Sequence, residues 1–149
     1  MDVKTAFLNG DLVESIYMEQ PDGYQITNQA HLVCKLWKAL YGLKQASRAW
    51  YEKMNTFLLS QCYLPFAADA NLYYTKLGPT FSFIALYVDD TILVSNDFTF
   101  LTKCKANLQT TFEMVDFGHI KSCLGIQIDH DNNIIRLSQA KLVYLLATS

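Results

Sequence analysis

The residues Phe81-Ser-Phe-Ile-Ala-Leu-Tyr87-Val88-Asp89-Asp90-Thr91-Ile-Leu-Val-Ser95 constrain this chain more than any other stretch. Two short runs of β-branched and aromatic side chains meet at a pair of acids. Turn formers bracket them, Gly78 and Pro79 before, Asn96 and Asp97 after. Short apolar runs bounded in this way read as strand, turn, strand. An ordinary turn explains one Asp, usually beside Gly or Asn, and neither stands here. Adjacent carboxylates between apolar strands repel each other and are costly to desolvate. A divalent cation is the usual compensation, because hard oxygen ligands suit Mg²⁺. Alone, the hairpin reads either as a metal site or as a solvated acidic turn.

The 149 residues suffice for one domain with a real core, and 51% apolar against 17% charged residues excludes disorder. Aromatic content is high, at 13%, which implies a dense core or apolar surface meant for other parts of a larger protein. No apolar run reaches bilayer-spanning length, and the first residues show no signal-peptide pattern, so no membrane partner is expected. Cys34, Cys62, Cys104 and Cys123 are scattered, without a CxxC pair or matching His spacing. Reduced intracellular thiols are therefore expected, not a zinc site or a disulfide framework. The net charge of −2 argues against a self-sufficient nucleic-acid binder.

From the start, residues 4–8 can form a short helix that Asn9-Gly10 stops, with Asp2 an N-cap candidate. Residues 14–19 alternate apolar and polar up to Pro21-Asp22-Gly23, and 32–37 form a second strand, so the two make a hairpin across 20–31. Gly42 breaks the periodicity, and Ser47 can cap a helix to about Gln61. Trp50, Met54, Phe57 and Leu58 form its apolar stripe, which reads as plain packing. Arg48, Glu52 and Lys53 lie off that stripe. Residues 63–71 read as irregular and 72–76 as a strand leading into the acidic hairpin. Asp97 can cap a helix from about Thr99 to Phe112, and 113–118 form a short strand closed by Gly118. The runs 123–128 and 134–137, joined across Asn132-Asn133, make a second hairpin. Ser138 then caps a last helix, from Gln139 to about Ala147. The fold class is α+β, a largely antiparallel sheet with helices packed on one face.

If the sheet brings Asp2 beside the 81–95 hairpin, Asp2, Asp89 and Asp90 converge. Three carboxylates around two divalent ions about 3.5–4 Å apart are the template for in-line phosphoryl transfer. Several collinear motifs point the same way. Met1-Asp-Val-Lys-Thr-Ala-Phe-Leu-Asn-Gly-Asp-Leu, Ile16-Tyr-Met-Glu-Gln-Pro, Leu40-Tyr-Gly-Leu-Lys-Gln-Ala-Ser-Arg-Ala-Trp-Tyr and Tyr87-Val-Asp-Asp closely resemble the reverse transcriptase of copia-type LTR retrotransposons. Phe112-Glu-Met, Leu124-Gly-Ile and Leu137-Ser-Gln extend the resemblance to about Leu146.

The resemblance implies a polymerase palm carrying part of the fingers, a single domain fragment over 1–149 with residues 123–149 at the palm/thumb edge. It implies an RNA-directed DNA polymerase that adds dNTPs to a primer 3′-hydroxyl with two Mg²⁺ ions, Mn²⁺ being a substitute. Asp2 would be the first metal-binding aspartate, Asp89 the principal second and Asp90 the third acid. Phe7 would pack under the incoming sugar and exclude a 2′-hydroxyl, its plain alternative being a core Phe. Lys4, Gly42, Lys44 and Gln45 would line the nucleotide and templating base, Gly42 allowing close backbone approach. Tyr87 and Val88 would flank the primer terminus, and Leu124 and Gly125 would support the primer end. The implied partners are an RNA or DNA template-primer, dNTPs and the remaining Pol polyprotein domains: fingers, thumb, RNase H and integrase. The implied location is intracellular, in a cytoplasmic virus-like particle that can have a nuclear phase.

The chain departs from the family pattern where Ser47 replaces a usual Pro, Val115 a Lys, Phe117 a Leu and Cys123 an aromatic. The basic fingers upstream of Asp2, the strand leading into it, the thumb and the RNase H domain are expected to lie outside these residues. That accounts for the low charge and predicts a weak or dead polymerase for the chain alone. The alternative is an inactive retroelement remnant serving as a nucleic-acid or protein interaction module. A nucleotide cyclase on a similar sheet is a third reading, which the flanking motifs disfavour.

Overall fold

The computed structural model describes residues 1–29, 31–131, 134–140 and 143, and the chain divides into two compact units, 1–115 and 116–149. The first runs β1 (Asp2–Val3), a 3-10 helix (Ala6–Asn9), β2 (Asp11–Glu19), β3 (Val33–Lys38), α1 (Ala46–Ser60), β4 (Leu64–Phe66), β5 (Asp69–Leu77), β6 (Thr80–Tyr87), β7 (Asp90–Ser95), α2 (Phe98–Thr111) and β8 (Met114–Val115). Six strands form one sheet in the order β4-β5-β6-β7-β1-β8, every neighbour antiparallel. β2 and β3 pair as a separate hairpin. The mixed α+β class with antiparallel sheets is therefore present.

Strand pleat sorts the sheet's two faces. The cross-strand pairs Tyr73–Ile84 and Thr75–Ser82 share one buried face with Thr91. Trp50, Met54 and Leu58 of α1 and Leu108 of α2 belong to the same core, with Val3, Phe112 and Met114. Burying each large apolar side chain stabilises by about 1.5–3 kcal/mol. Polar atoms under the helices are satisfied: the Tyr63 hydroxyl donates to Ser82 Oγ at 2.8 Å, and Ser82 Oγ donates to the Val94 carbonyl at 2.9 Å. Burial pushes the Tyr63 hydroxyl above the ordinary tyrosine range. The opposite face carries the pairs Tyr74–Phe83 and Phe83–Val94 and, near its end, Tyr87 and Asp90.

The α1 stripe and the Asp97 cap stand where the sequence puts them; the Asp97 carboxylate accepts from Phe100 N–H at 3.0 Å. Other expectations need correction. Asp2 lies in a strand, so it caps no helix, and the expected helix over 4–8 is one 3-10 turn at Ala6–Asn9. Ser47 caps nothing: the turn from Leu40 through Leu43 starts α1 earlier, with Gln45 at its N-cap. The expected strand over 72–76 lies within β5, but β5 begins at Asp69 and pairs with β4 at 64–66, where irregular chain was expected. Pro65 is tolerated there because β4 is an edge strand.

The second unit holds β9 (Ser122–Cys123), β10 (Ile126–Asp131) and β11 (Ile134–Ser138), an antiparallel sheet in the order β11-β10-β9. The run 123–128 is not one strand. It reverses at Leu124-Gly125, both at positive φ (50° and 78°), the pattern of a two-residue hairpin turn. Ser138 ends β11; Ala140 and Val143 of the expected helix from 139 to 147 are helical, the Val143 N–H donating to the Gln139 carbonyl at 3.0 Å, and the rest of that helix, like the Asn132-Asn133 reversal, lies outside the described residues.

Candidate active site

β1 is two residues long, and its position decides the site. It lies between β7 and β8 with Asp2 opposite Asp90 and Val115, and Val3 opposite Met114. The Val3 N–H donates to the Asp89 carbonyl at 3.0 Å, and the Thr91 N–H donates to the Met1 carbonyl at 2.8 Å. Directly opposed residues share a sheet face, with Cβ atoms about 4.5–5.5 Å apart. Asp2 and Asp90 therefore stand side by side on the face away from the helices, and Asp89 occupies the turn beside them. All three are half-buried. Val3, next to Asp2, points the other way into the core and anchors the strand.

Among the described residues no Lys, Arg or His side chain pairs with these three carboxylates. Asp2 and Asp90 stand opposite each other with Asp89 in the adjoining turn, and a cation between carboxylates so placed would relieve their repulsion. Among the same residues no three His, Cys, Asp or Glu side chains are arranged to cage a metal ion unaided. The donor set still suits Mg²⁺, which is commonly held by one or two carboxylates with substrate phosphates and water completing the shell.

The Val88-Asp89 turn is strained. Tyr87 pairs with Asp90, so Val88 and Asp89 are the two central residues of a tight hairpin. Val88 has φ +54°. The turn that needs positive φ at its first central residue normally has Gly there. A β-branched residue in this region costs on the order of 1–3 kcal/mol and persists only when its surroundings hold it. One such hold is visible: Trp50 Nε1 of α1 donates to the Val88 carbonyl at 2.7 Å. The sequence read Trp50 as packing alone. The available signal was that a buried indole brings an N–H needing a partner.

The other sequence candidates fall into three groups. Phe7, on the 3-10 helix directly after β1, is half-buried and stacks on Tyr41, ring centroids 4.7 Å apart and tilted by 48°. The Ala39 N–H donates to the Gly10 carbonyl at 2.9 Å, so the loop carrying Gly42, Lys44 and Gln45 starts beside that helix. Gly42 sits at φ +92°, which only Gly adopts without strain, and Gln45 is the residue from which α1 starts. Lys4 is exposed and ion-paired to Glu113, which raises its pKa. Tyr87 and Val88 are exposed beside the acids, by 57% and 46%. Leu124 and Gly125 form the β9–β10 turn of the second unit.

The sequence matches the family described as reverse transcriptase (RNA-dependent DNA polymerase) over residues 1–147. The chain belongs to that family. It is 44% identical over 146 residues to the retrovirus-related Pol polyprotein from transposon TNT 1-94 of Nicotiana tabacum, covering 96% of this chain and 11% of that one. It is 36% identical over 143 residues to the Pol polyprotein from transposon RE1 of Arabidopsis thaliana, covering 96% and 10%. A putative transposon Ty5-1 protein of Saccharomyces cerevisiae is 32% identical over 133 residues, covering 89% and 43%. The copia-type resemblance is thus established, and this reverse transcriptase segment spans about a tenth of the length of the first two relatives. No solved structure matches.

Proposed function

We propose that this chain is the palm-centred part of a retrotransposon RNA-directed DNA polymerase, and that Asp2, Asp89 and Asp90 are its metal-holding acids. The observation that carries this reading is the register of Asp2 against Asp90, locked by the Val3 N–H on the Asp89 carbonyl. Two segments far apart in sequence pair so that Asp2 faces Asp90, and among the described residues no basic side chain pairs with either acid. When bound, divalent Mg²⁺ supplies the charge neutralisation and hydroxyl activation that phosphoryl transfer requires. The chain's own contribution is positioning. Short strands fix the acids, Phe7 on its Tyr41 buttress offers a flat apolar surface for the nucleotide sugar, and Gly42 and Gln45 present backbone for the base. Tyr87 and Val88 would meet the primer end. Leu124-Gly125 would support it, and Lys44 and Lys4 would face phosphates. The partners are a template-primer, dNTPs and the other domains of a Pol polyprotein.

Primer extension tests this, with the purified chain on oligo(dT)-primed poly(A), in Mg²⁺ and then Mn²⁺, beside an Asp89→Asn variant. Extension should fall by at least about a hundredfold in the variant, because loss of one charged group that stabilises the reacting centre costs that much. Extension that persists in Asp89→Asn removes Asp89 from the chemistry. A second reading is favoured by the lack of a ready three-ligand cage among the described residues. It is a folded remnant without catalysis that keeps exposed aromatics, such as Tyr24 and Trp37, for protein or nucleic-acid contacts. A chain with folded circular dichroism, no extension in either metal and no Mn²⁺ binding decides for it.

A further inference from the structure

We propose that Trp50 is a positioning residue for the acid pair: its indole N–H, by holding the Val88 carbonyl, locks the Val88-Asp89 turn in its left-handed form and sets where Asp89 and Asp90 stand against Asp2. The inference rests on the function proposed above. Trp50 is only 4% exposed, and its ring meets Phe112 edge-on at a centroid distance of 5.3 Å. A Phe or Leu would also fill this volume; what the indole adds is a donor. Without the Val88 carbonyl that donor would be orphaned in the core, and without the donor the Val88 carbonyl would lose its 2.7 Å partner.

The tether is anchored on a firm element. α1 lies so close to the end of the 3-10 helix that a Cβ on Gly10 would stand 2.9 Å from both Ala49 Cβ and the Trp50 backbone nitrogen. The helix that carries the indole is thus seated on the segment directly following Asp2. One arm therefore runs from β1 through Gly10 and α1 to Val88, and a second runs from Val3 to the Asp89 carbonyl. Val88 does not favour positive φ by itself, unlike Gly. Cutting the Trp50 arm lets the peptide between Val88 and Asp89 rotate, and the Asp89 carboxylate moves with it.

Two variants separate the donor from the bulk: Trp50→Phe, and Trp50 replaced by benzothienylalanine through nonsense suppression, a ring of the same size without the N–H. Amide hydrogen exchange in the intact chain reports on the tether through the Val3 and Thr91 N–H groups, with α2 as an internal reference. We expect both variants to melt cooperatively. The benzothienyl variant should speed exchange at Val3 and Thr91 by about tenfold, as loss of one buried hydrogen bond allows, and leave α2 unchanged. In primer extension kcat should fall by about ten- to a hundredfold while the KM for dNTP shifts less than ~2-fold, the signature of misplaced acids and not of lost binding. Unchanged exchange at Val3 and Thr91, or an unchanged kcat in a protein that Asp89→Asn inactivates, overturns the proposal. A wild-type chain without extension would match a polymerase that needs segments outside these residues, and no kcat would then be read. The exchange result would then still decide whether the indole holds the turn.

Discussion

Val88 is where local preference and site geometry conflict. Its left-handed backbone costs on the order of 1–3 kcal/mol, and the Trp50 hydrogen bond returns about 1 kcal/mol of that. Gly at this position has no Cβ penalty but gives up conformational entropy worth about 0.5–1 kcal/mol. Val88→Gly should therefore raise stability by up to about 2 kcal/mol, a Tm gain of up to ~4–8 °C. It should also slow extension, because the turn no longer has a side chain to restrict it beside the primer end. A lower Tm for Val88→Gly in thermal denaturation would show that the valine side chain, 46% exposed, makes packing contacts worth more than the strain. Stability and activity moving in opposite directions is the expected mark of a site that stores strain.

At the scale of elements, the β2–β3 hairpin joins α1 through one acid. Asp11 begins β2, and its carboxylate takes Lys38 of β3 on one oxygen and Lys53 of α1 on the other, the latter at 2.7 Å. The hydrogen bonds from Lys38 and then Lys53 lower its pKa from 3.8 to about 2. The folded value lies below the unfolded one, so this stabilisation is complete above about pH 4 and is lost as pH falls through about 2. Because Asp11 is exposed and screened, its worth is about 0.5–1 kcal/mol, not the full shift. The Tm difference between wild type and Asp11→Asn should be constant from pH 7 to 5 and close towards pH 2; a gap independent of pH would mean the clamp contributes by packing alone. Elements like these were largely legible. The 3.6-residue stripe of α1, the Asp97 cap and the apolar runs on either side of Asp89-Asp90 each carry a local signal, and each element formed. The β4–β5 hairpin did not show itself, because Pro65 argues against a strand and Ala67-Ala68 is no turn signature. The convergence of Asp2 with Asp90 was visible only through motif resemblance, since a two-residue strand has no periodicity. Trp50 was recognised as core but not as a donor, because the partner of an N–H is a long-range fact: Trp50 and Val88 are far apart in sequence.

For the whole molecule, the distribution of burial argues that the folding core resides in the first unit. Every buried residue of the core lies between Val3 and Met114, and no described residue of 116–149 is buried. Asp2, Asp89, Asp90, Phe7, Trp50 and Gln45 fall in the same span, whereas Leu124 and Gly125 do not. A segment shorter than about 40 residues seldom closes its own core without a disulfide or metal. Cys123 is the single cysteine between 116 and 149, so no disulfide within this unit staples it. A 1–115 protein, which keeps β8 and hence both neighbours of β1, should unfold in one cooperative transition, while the 116–149 peptide should give the circular dichroism of a coil. The 1–115 protein should also keep Mn²⁺ binding, read as paramagnetic broadening at Asp2 and Asp90, because its acids and both arms that hold the turn are present. If Leu124-Gly125 supports the primer end as proposed, its primer extension should fail through a raised KM for template-primer. If 1–115 instead melts without cooperativity, the six-stranded sheet depends on the second unit for its stability, and burial within residues 1–115 is not enough to define the fold. Retained folding with lost Mn²⁺ binding would point elsewhere: the acids would then need residues beyond 115 for their alignment, and the Asp2–Asp90 register would be necessary for the site but insufficient to build it.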